Sequence, residues 1–379
     1  MYLITCFFCA AWLGIGHVSA ATDMPSARAS SYTIMEAEAK REAALTIYGT
    51  TSENFARFLI DDFKSLYPAI VVTYVALPAP ELDARMRREA GASAGPDVVW
   101  SGGMDFQMRA VVDGLASSYK SPEASTLPEW AKWKDQVYAT SYEPVVLMYN
   151  RRLVPPDEIP TTHDKLTETL VKSREKYRGK VTTYALDNAE LGSVPFELDA
   201  AYDPHFWSLA RAMRAADVNT VNSSATMIEH ITSGQSLIAY NVAGAEAIRR
   251  ARRDPSIGVQ FTQDYNLVLS RLIFISKTAL HPNAAKIWVD YVLSKRGQQQ
   301  MRVADLYPIR EDVSGTDPGL TLLRGASGIA KPTALNAKLA QLFELSRFRQ
   351  FQKKWASTVA SEAWVTPRRD GYAPTASGH

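Results

Sequence analysis

Four short stretches of this chain place hydroxyl, amide and glycine residues directly behind apolar runs, and these are the residues best able to hold a ligand. They read Tyr48-Gly49-Thr50-Thr51-Ser52-Glu53, Trp100-Ser101-Gly102-Gly103, Asp187-Asn188-Ala189-Glu190-Leu191-Gly192-Ser193 and Tyr240-Asn241-Val242-Ala243-Gly244. Each ends a strand-like run and opens a helical pattern. Free N–H groups at a helix start, beside small hydroxyls, can hold a carboxylate or phosphate. Capping accounts for any single stretch equally well, because Thr50-x-x-Glu53 is also an ordinary capping box. Four such loops on one sheet edge, with no catalytic group between them, favour binding without chemistry. The expected ligand contacts are Thr50, Thr51, Ser52, Ser101, Gly102, Gly103, Asn188, Ser193, Asn241 and Gly244. Trp100 and Tyr240 are either walls of the site or core.

Other motifs point away from catalysis. Gly91-Ala92-Ser93-Ala94-Gly95 has nucleophile-elbow spacing, but the elbow needs a strand before its serine and a helix after it. Here a helical pattern precedes and a strand follows, so the glycines end a helix and turn the chain. A hydrolase using Ser93 is the least favoured reading. His163, His205, His230, His281 and His379 fall at no zinc-ligand spacing, and no phosphate or dinucleotide loop occurs. No metal and no cofactor is expected, and the protein does not read as an enzyme. His281, before Pro282, reads as a helix-entry residue. Arg249, Arg250, Arg252 and Arg253 close a helix, where cations complement the dipole. With 42 Lys+Arg against 40 Asp+Glu, the net charge of +2 gives no basic excess for nucleic acid.

The elements that position these loops follow from periodicity. Ala44 to Tyr48 is an apolar run ended by Gly49, and Phe55, Phe58, Leu59, Phe63 and Leu66 share one helical face. Ile70–Val75 and Asp97–Trp100 are further strands, with helices over Glu81–Ala90 and Met104–Val112. Strand–helix alternation of this kind predicts parallel sheet covered on both faces. Strands are expected at Val145–Tyr149, Lys180–Leu186 and Leu237–Tyr240, and as one long run over Leu267–Ile275. Helices are expected over Asp203–Ala216, Ser224–Thr232, Gly244–Arg253, Pro282–Leu293 and within Ala334–Val365. At 379 residues the chain is long enough for two domains.

Tyr2 to Gly16 is apolar and uncharged, about 15 residues against the roughly 20 that span a bilayer. Val18 and Ala20 then fit a signal-peptidase site, with cleavage between Ala20 and Ala21. Both cysteines, Cys6 and Cys9, lie in that leader, so the exported chain has no thiol chemistry. The periplasm is the expected compartment.

The order of several segments resembles the periplasmic solute-binding proteins of ABC transporters, in the ferric-iron and sugar-phosphate branch with the two-lobe type II fold. They are Leu45-Thr46-Ile47-Tyr48-Gly49-Thr50-Thr51, Pro96 to Gly103, Val146 to Leu153, Tyr177-Arg178-Gly179-Lys180, His281 to Lys286 and Tyr291 to Gln298. The resemblance spans about residues 43–310. It implies an α/β fold of two lobes, each a largely parallel sheet with flanking helices, closing on ligand. Lobe 1 would take 43–146 and 267–310, and lobe 2 would take 147–266. Outside the resemblance, residues 1–20 read as a signal peptide and 21–42 as a leader or a loose first helix, while 311–379, without a clear counterpart in the relatives, reads as a helical extension capping a lobe or meeting a membrane partner.

The resemblance further implies a monomer that hands a small, anionic solute, phosphorylated or carboxylate, to an ABC permease in the inner membrane. A component that regulates phosphoglycerate transport is also similar, and implies the alternative of a sensor-kinase system. Iron-binding relatives carry adjacent tyrosines after the strand corresponding to Leu237–Tyr240. Here Val242-Ala243-Gly244-Ala245 stands there, which disfavours ferric ion. Asp187 and Glu190 enter a loop that in the relatives binds an anion. Either they point away, or the ligand carries a cationic or hydroxyl-rich part.

Overall fold

The computed structural model describes residues 26–90, 95–186, 191–304, 306–313, 321, 324 and 329–359. The expected signal peptide with its Ala20/Ala21 junction, Ser93, Asp187, Asn188, Glu190 and residues 360–379 lie outside the described residues.

After α1 (Ser26–Glu42) the chain alternates β1 (Ala44–Gly49), α2 (Glu53–Leu66), β2 (Val71–Ala76), α3 (Ala79–Glu89), β3 (Val98–Ser101) and α4 (Met104–Val112). A hairpin of β4 (Lys132–Trp133) and β5 (Val137–Ala139) follows. β6 (Glu143–Asn150) then opens a second sheet. That lobe continues through α5 (His163–Lys172), α6 (Arg174–Tyr177), β7 (Val181–Tyr184), α7 (Val194–Tyr202) and α8 (Phe206–Ala215). It is completed by β8 (Asn219–Val221), α9 (Ser224–Ser233), β9 (Ile238–Ala243), α10 (Gly244–Ala251), β10 (Ile257–Gln260) and β11 (Asn266–Leu269). The chain returns with β12 (Leu272–Ile275), α11 (Pro282–Leu293) and α12 (Lys295–Val303). Last come β13 (Ala330–Pro332), α13 (Ala337–Leu342) and α14 (Leu345–Val359).

The first sheet has the order β2-β1-β3-β12-β5-β4, and the second runs β13-β11-β6-β9-β7-β8 with β10 also on β6. β1, β2 and β3 pair in parallel, as do β7, β8 and β9, in keeping with their helical crossovers. The strands on either side of the lobe junction run the other way. β12 is antiparallel to β3 and β5, and β6 is antiparallel to β9, β10 and β11. Each sheet is therefore mixed. Each lobe has its own core, one around Trp100, Phe274 and Trp288, the other around Tyr184, Phe206 and Tyr240.

The chain changes sheet between β5 and β6, at Thr140–Tyr142, between β11 and β12, at Ser270–Arg271, and once more before β13, which follows α12. Val146 and Leu267, where the crossings were expected, both lie inside strands of the second sheet. The apolar run Leu267–Ile275 is two strands rather than one, because its polar pair Ser270–Arg271 is the crossing itself.

The stretch expected as a leader is a docked helix from Ser26 onward. The Glu42 carboxylate accepts from the backbone N–H of Asn283 (3.0 Å) and Ala284 (2.7 Å), capping α11. At the other end of the chain, β13 joins β11 in the second sheet, whereas α13 packs on α4 of the first lobe and α14 on α8 of the second. Phe343 is fully buried in the first core, and Trp355 stacks near Phe196 and Phe206 in the second.

Candidate functional site

Between the lobes lies a cavity of about 270 Å³, and its construction starts at the end of β1. A side chain at Gly49 would meet the Tyr74 hydroxyl at 2.2 Å and the Trp100 carbonyl at 2.9 Å, so the close approach of β1, β2 and β3 requires glycine there. Thr50 follows, and its Oγ1 accepts from the Gly102 N–H at 2.9 Å, tying the first loop to the second. Thr50 is thus no helix cap. Ser52 occupies the cap position of α2, with extended backbone and no capping bond from its side chain. Thr51 is buried. Its carbonyl accepts from the Tyr74 hydroxyl at 2.6 Å, and its own Oγ1 is buried without a partner. Ser101 is also buried and accepts from the Gly103 N–H at 3.0 Å, while Gly103 stands against Phe106.

The floor of the cavity is the return crossing. The Arg271 N–H donates to Ser141 Oγ (2.8 Å), and its carbonyl accepts from the Thr140 N–H (2.8 Å) and hydroxyl (2.9 Å). With its backbone pinned, Arg271 sends its guanidinium under the Gly102 loop, where Nη1 would stand 3.4 Å from a Cβ on that glycine. Its Nε lies 3.1 Å from Glu143 Oε1, which also accepts from Ser141 Oγ at 2.6 Å. Pro78, Ala79 and Pro80 add an apolar wall, and Leu191 and Asn222 close the cavity from the second lobe. Among the described lining residues, Arg271 and Glu143 alone carry charge. Beside this cavity the lobes also meet where Arg249 of α10 stands 5.4 Å from the Phe55 ring of α2.

Of the residues expected at the site, Thr50 and Gly102 line the cavity. Trp100 is no wall: it is fully buried, and its indole N–H donates to Thr140 Oγ1 at 3.0 Å, bracing the crossing from within the core. Tyr240 is core as well. Its hydroxyl donates to Asp199 Oδ2 at 2.5 Å, and Asn241, in left-handed backbone at φ 63°, donates to the same oxygen at 3.1 Å. Tyr265 donates to Asp199 Oδ1 at 2.9 Å. Burial pushes the Asp199 carboxyl and the Tyr240 hydroxyl upward. His163 stacks on Tyr265 at 4.1 Å, and its Nδ1 lies 3.0 Å from Asp264. Gly244 serves packing, since a side chain there would lie 2.5 Å from the Pro144 carbonyl. Ser193 is buried and donates to Glu197. His281 enters α11, as expected, with its N–H and Nδ1 held on Asp97 at 2.8 and 2.9 Å.

Arg271, Glu143, Ser270 and Asn222 were not anticipated. The signal for the first was present, a lone Ser-Arg pair interrupting an otherwise apolar run. Among the described residues no group of three or more His, Cys, Asp or Glu is placed to hold a metal ion.

Two α/β lobes with separate cores, joined by paired crossing strands and enclosing a cavity with one Arg–Glu pair among largely apolar walls, define a two-lobed binding protein with the type II arrangement. The chain belongs to the bacterial extracellular solute-binding protein family, whose sequence pattern matches residues 48–299. Its fold is shared with the substrate binding protein of an ABC transporter from Agrobacterium tumefaciens, 24% identical, over 84% of this chain and 94% of that one, with a TM-score of 0.76. A ferric binding protein from Campylobacter jejuni is 17% identical over 83% of this chain and 99% of that one, TM-score 0.68. A periplasmic binding protein from Actinobacillus pleuropneumoniae, with exogenous fructose-6-phosphate bound, is 15% identical over 83% and 98%, TM-score 0.65. No curated protein matches the chain.

Proposed function

We propose that this protein captures a small anionic solute, carboxylate or phosphorylated, in the interlobe cavity and delivers it to an ABC permease. The observation that carries this reading is the Arg271 guanidinium, held by backbone bonds of the crossing at the floor of that cavity. A guanidinium offers paired donors that match a carboxylate or phosphate. The loops at Thr50 and Gly102 line the same cavity, as do Leu191 and Asn222 of the opposite lobe, so a bound anion would be enclosed by both halves. The Agrobacterium neighbour is the substrate binding protein of an ABC transporter, and the Actinobacillus neighbour holds a sugar phosphate. The apolar stretch Tyr2–Gly16 with Val18 and Ala20 supports export to the periplasm and cleavage after Ala20. Ferric ion fits this chain poorly, because Gly244 and Ala245 stand where iron-binding relatives carry tyrosines, and Gly244 is packed against Pro144.

Thermal denaturation in the presence of carboxylates, phosphate esters and ferric citrate tests the reading. An anion at a hundred times its dissociation constant should add about 2.7 kcal/mol to stability. Arg271→Met should abolish that gain while keeping a cooperative transition. A shift with ferric citrate but with no iron-free anion, or a full shift in Arg271→Met, would overturn the proposal.

A further inference from the structure

Resting on that reading, the cavity says more about which anions enter it. Arg271 does not stand there as a lone cation. Its Nε faces Glu143 at 3.1 Å, and the two side chains are similarly shielded, at 15% and 13% exposure. Glu143 spends only one oxygen within the protein, because the Ser141 hydroxyl and Arg271 Nε both meet Oε1. Oε2 has no partner among the described residues, nor is it among the atoms sealed away from solvent. The same holds for Arg271 Nη1 and Nη2, whereas Nε is sealed and meets Oε1 as an ion-pair contact without hydrogen-bond geometry. The cavity therefore presents a two-nitrogen donor edge and, beside it, one free carboxylate oxygen.

A carboxylate oxygen accepts hydrogen bonds and repels negative charge. An anion on the Arg271 edge that carries extra negative charge toward Glu143 meets a like charge in a confined space. One that carries a hydroxyl or ammonium there gains a charge-assisted hydrogen bond. The charges of Arg271 and Glu143 also cancel, so the site has no surplus to neutralise a polyanion. We propose that Glu143 selects the ligand class: the cavity takes a compact anion bearing a hydrogen-bond donor, hydroxyl or ammonium, a short spacer away, and discriminates against bare anions and polyanions.

Isothermal calorimetry with two isosteric series tests this on the whole protein. One series is β-alanine, 3-hydroxypropanoate and butanoate; the other is 2-aminoethyl phosphate, 2-hydroxyethyl phosphate and propyl phosphate; citrate represents polyanions. Within at least one series, a donor-bearing member should bind about tenfold or more tighter than the bare anion, the worth of one charge-assisted hydrogen bond. Whether the ammonium or the hydroxyl member leads identifies the donor. In Glu143→Gln, which keeps an acceptor for Ser141, that preference should shrink severalfold and citrate should gain relative to the small anions. Unchanged denaturation of Glu143→Gln would show that folding is not the cause. If bare and donor-bearing anions bind alike, or the preference survives Glu143→Gln, the assignment to Glu143 falls while the anion receptor stands. If no anion binds at all, both fall together.

Discussion

Glu197 lies at the foot of α7, where protein has replaced almost all of its water. Burial pushes its carboxyl up to about 7, with the hydroxyl of Ser193 and the Arg109 charge pulling the other way. A carboxyl with its folded pKa above its unfolded value binds more protons in the folded state. Its stabilising contribution is full below the unfolded value of roughly 4.3 and is lost as pH rises through about 7. The loss is on the order of 3 kcal/mol. Glu197→Gln, which still accepts from Ser193, should flatten the decline in urea midpoint between pH 4.5 and 7.5. An unaltered slope would place the decline elsewhere, for instance on Asp290, which burial also raises to about 7. At this scale the sequence was legible in part. Thr50 and Gly102 were readable because loops after parallel strands have one place to go. Trp100 and Tyr240 were not, because β3 is buried at all four positions and β9 at nearly all of its own. A strand covered on both faces has no alternation to show which side meets a cleft.

Among the elements, α2 declared itself through Leu59 and Phe63, which with Ala56 form its buried stripe, whereas Phe55 and Phe58 of the expected face are half-buried and Leu66 is exposed. α7 was expected only as the helix opening after Ser193, without bounds, for the opposite reason. Val194, Pro195, Phe196, Glu197, Leu198 and Asp199 are all buried, so no polar face marks it as a helix. β4 and β5 are two and three residues long, too short for any period. The terminal helices, expected within Ala334–Val365, bear on both lobes. α14 reaches the second lobe through Trp355, whose ring lies 4.8 Å from that of Phe196 on α7. Trp355→Ala should cost about 3–5 kcal/mol in denaturation, the usual penalty for emptying a buried aromatic site. A loss below about 1 kcal/mol would mean that α14 rests on the lobe without holding it. α13, by contrast, is fixed to the first lobe, where Arg109 Nη1 donates to the Phe343 carbonyl at 3.2 Å. The chain from Phe343 to Leu345 is therefore a further link between the lobes, beyond the crossings at Thr140–Tyr142 and Ser270–Arg271 and the passage through β13.

For the whole molecule, the place of Arg271 has a mechanical meaning. It belongs to the peptide that joins β11 to β12, so it sits on the axis about which the two lobes would swing. A group on the axis of a rotation hardly moves, whereas Asn222 and Leu191, carried by the second lobe, travel with the full radius. If the protein captures an anion as proposed, that anion would meet the same cation whether the lobes are apart or together. Capture and retention then become separate events governed by different residues. Stopped-flow association with a bound anion should show Arg271→Lys slowing the on-rate, since the paired donors are lost at first encounter. Asn222→Ala should leave the on-rate within about twofold and speed release instead. A slower on-rate in Asn222→Ala would mean that closure precedes capture. Otherwise the protein works as a latch whose strike plate is fixed to the hinge pin, and how long it holds its cargo is set by the door.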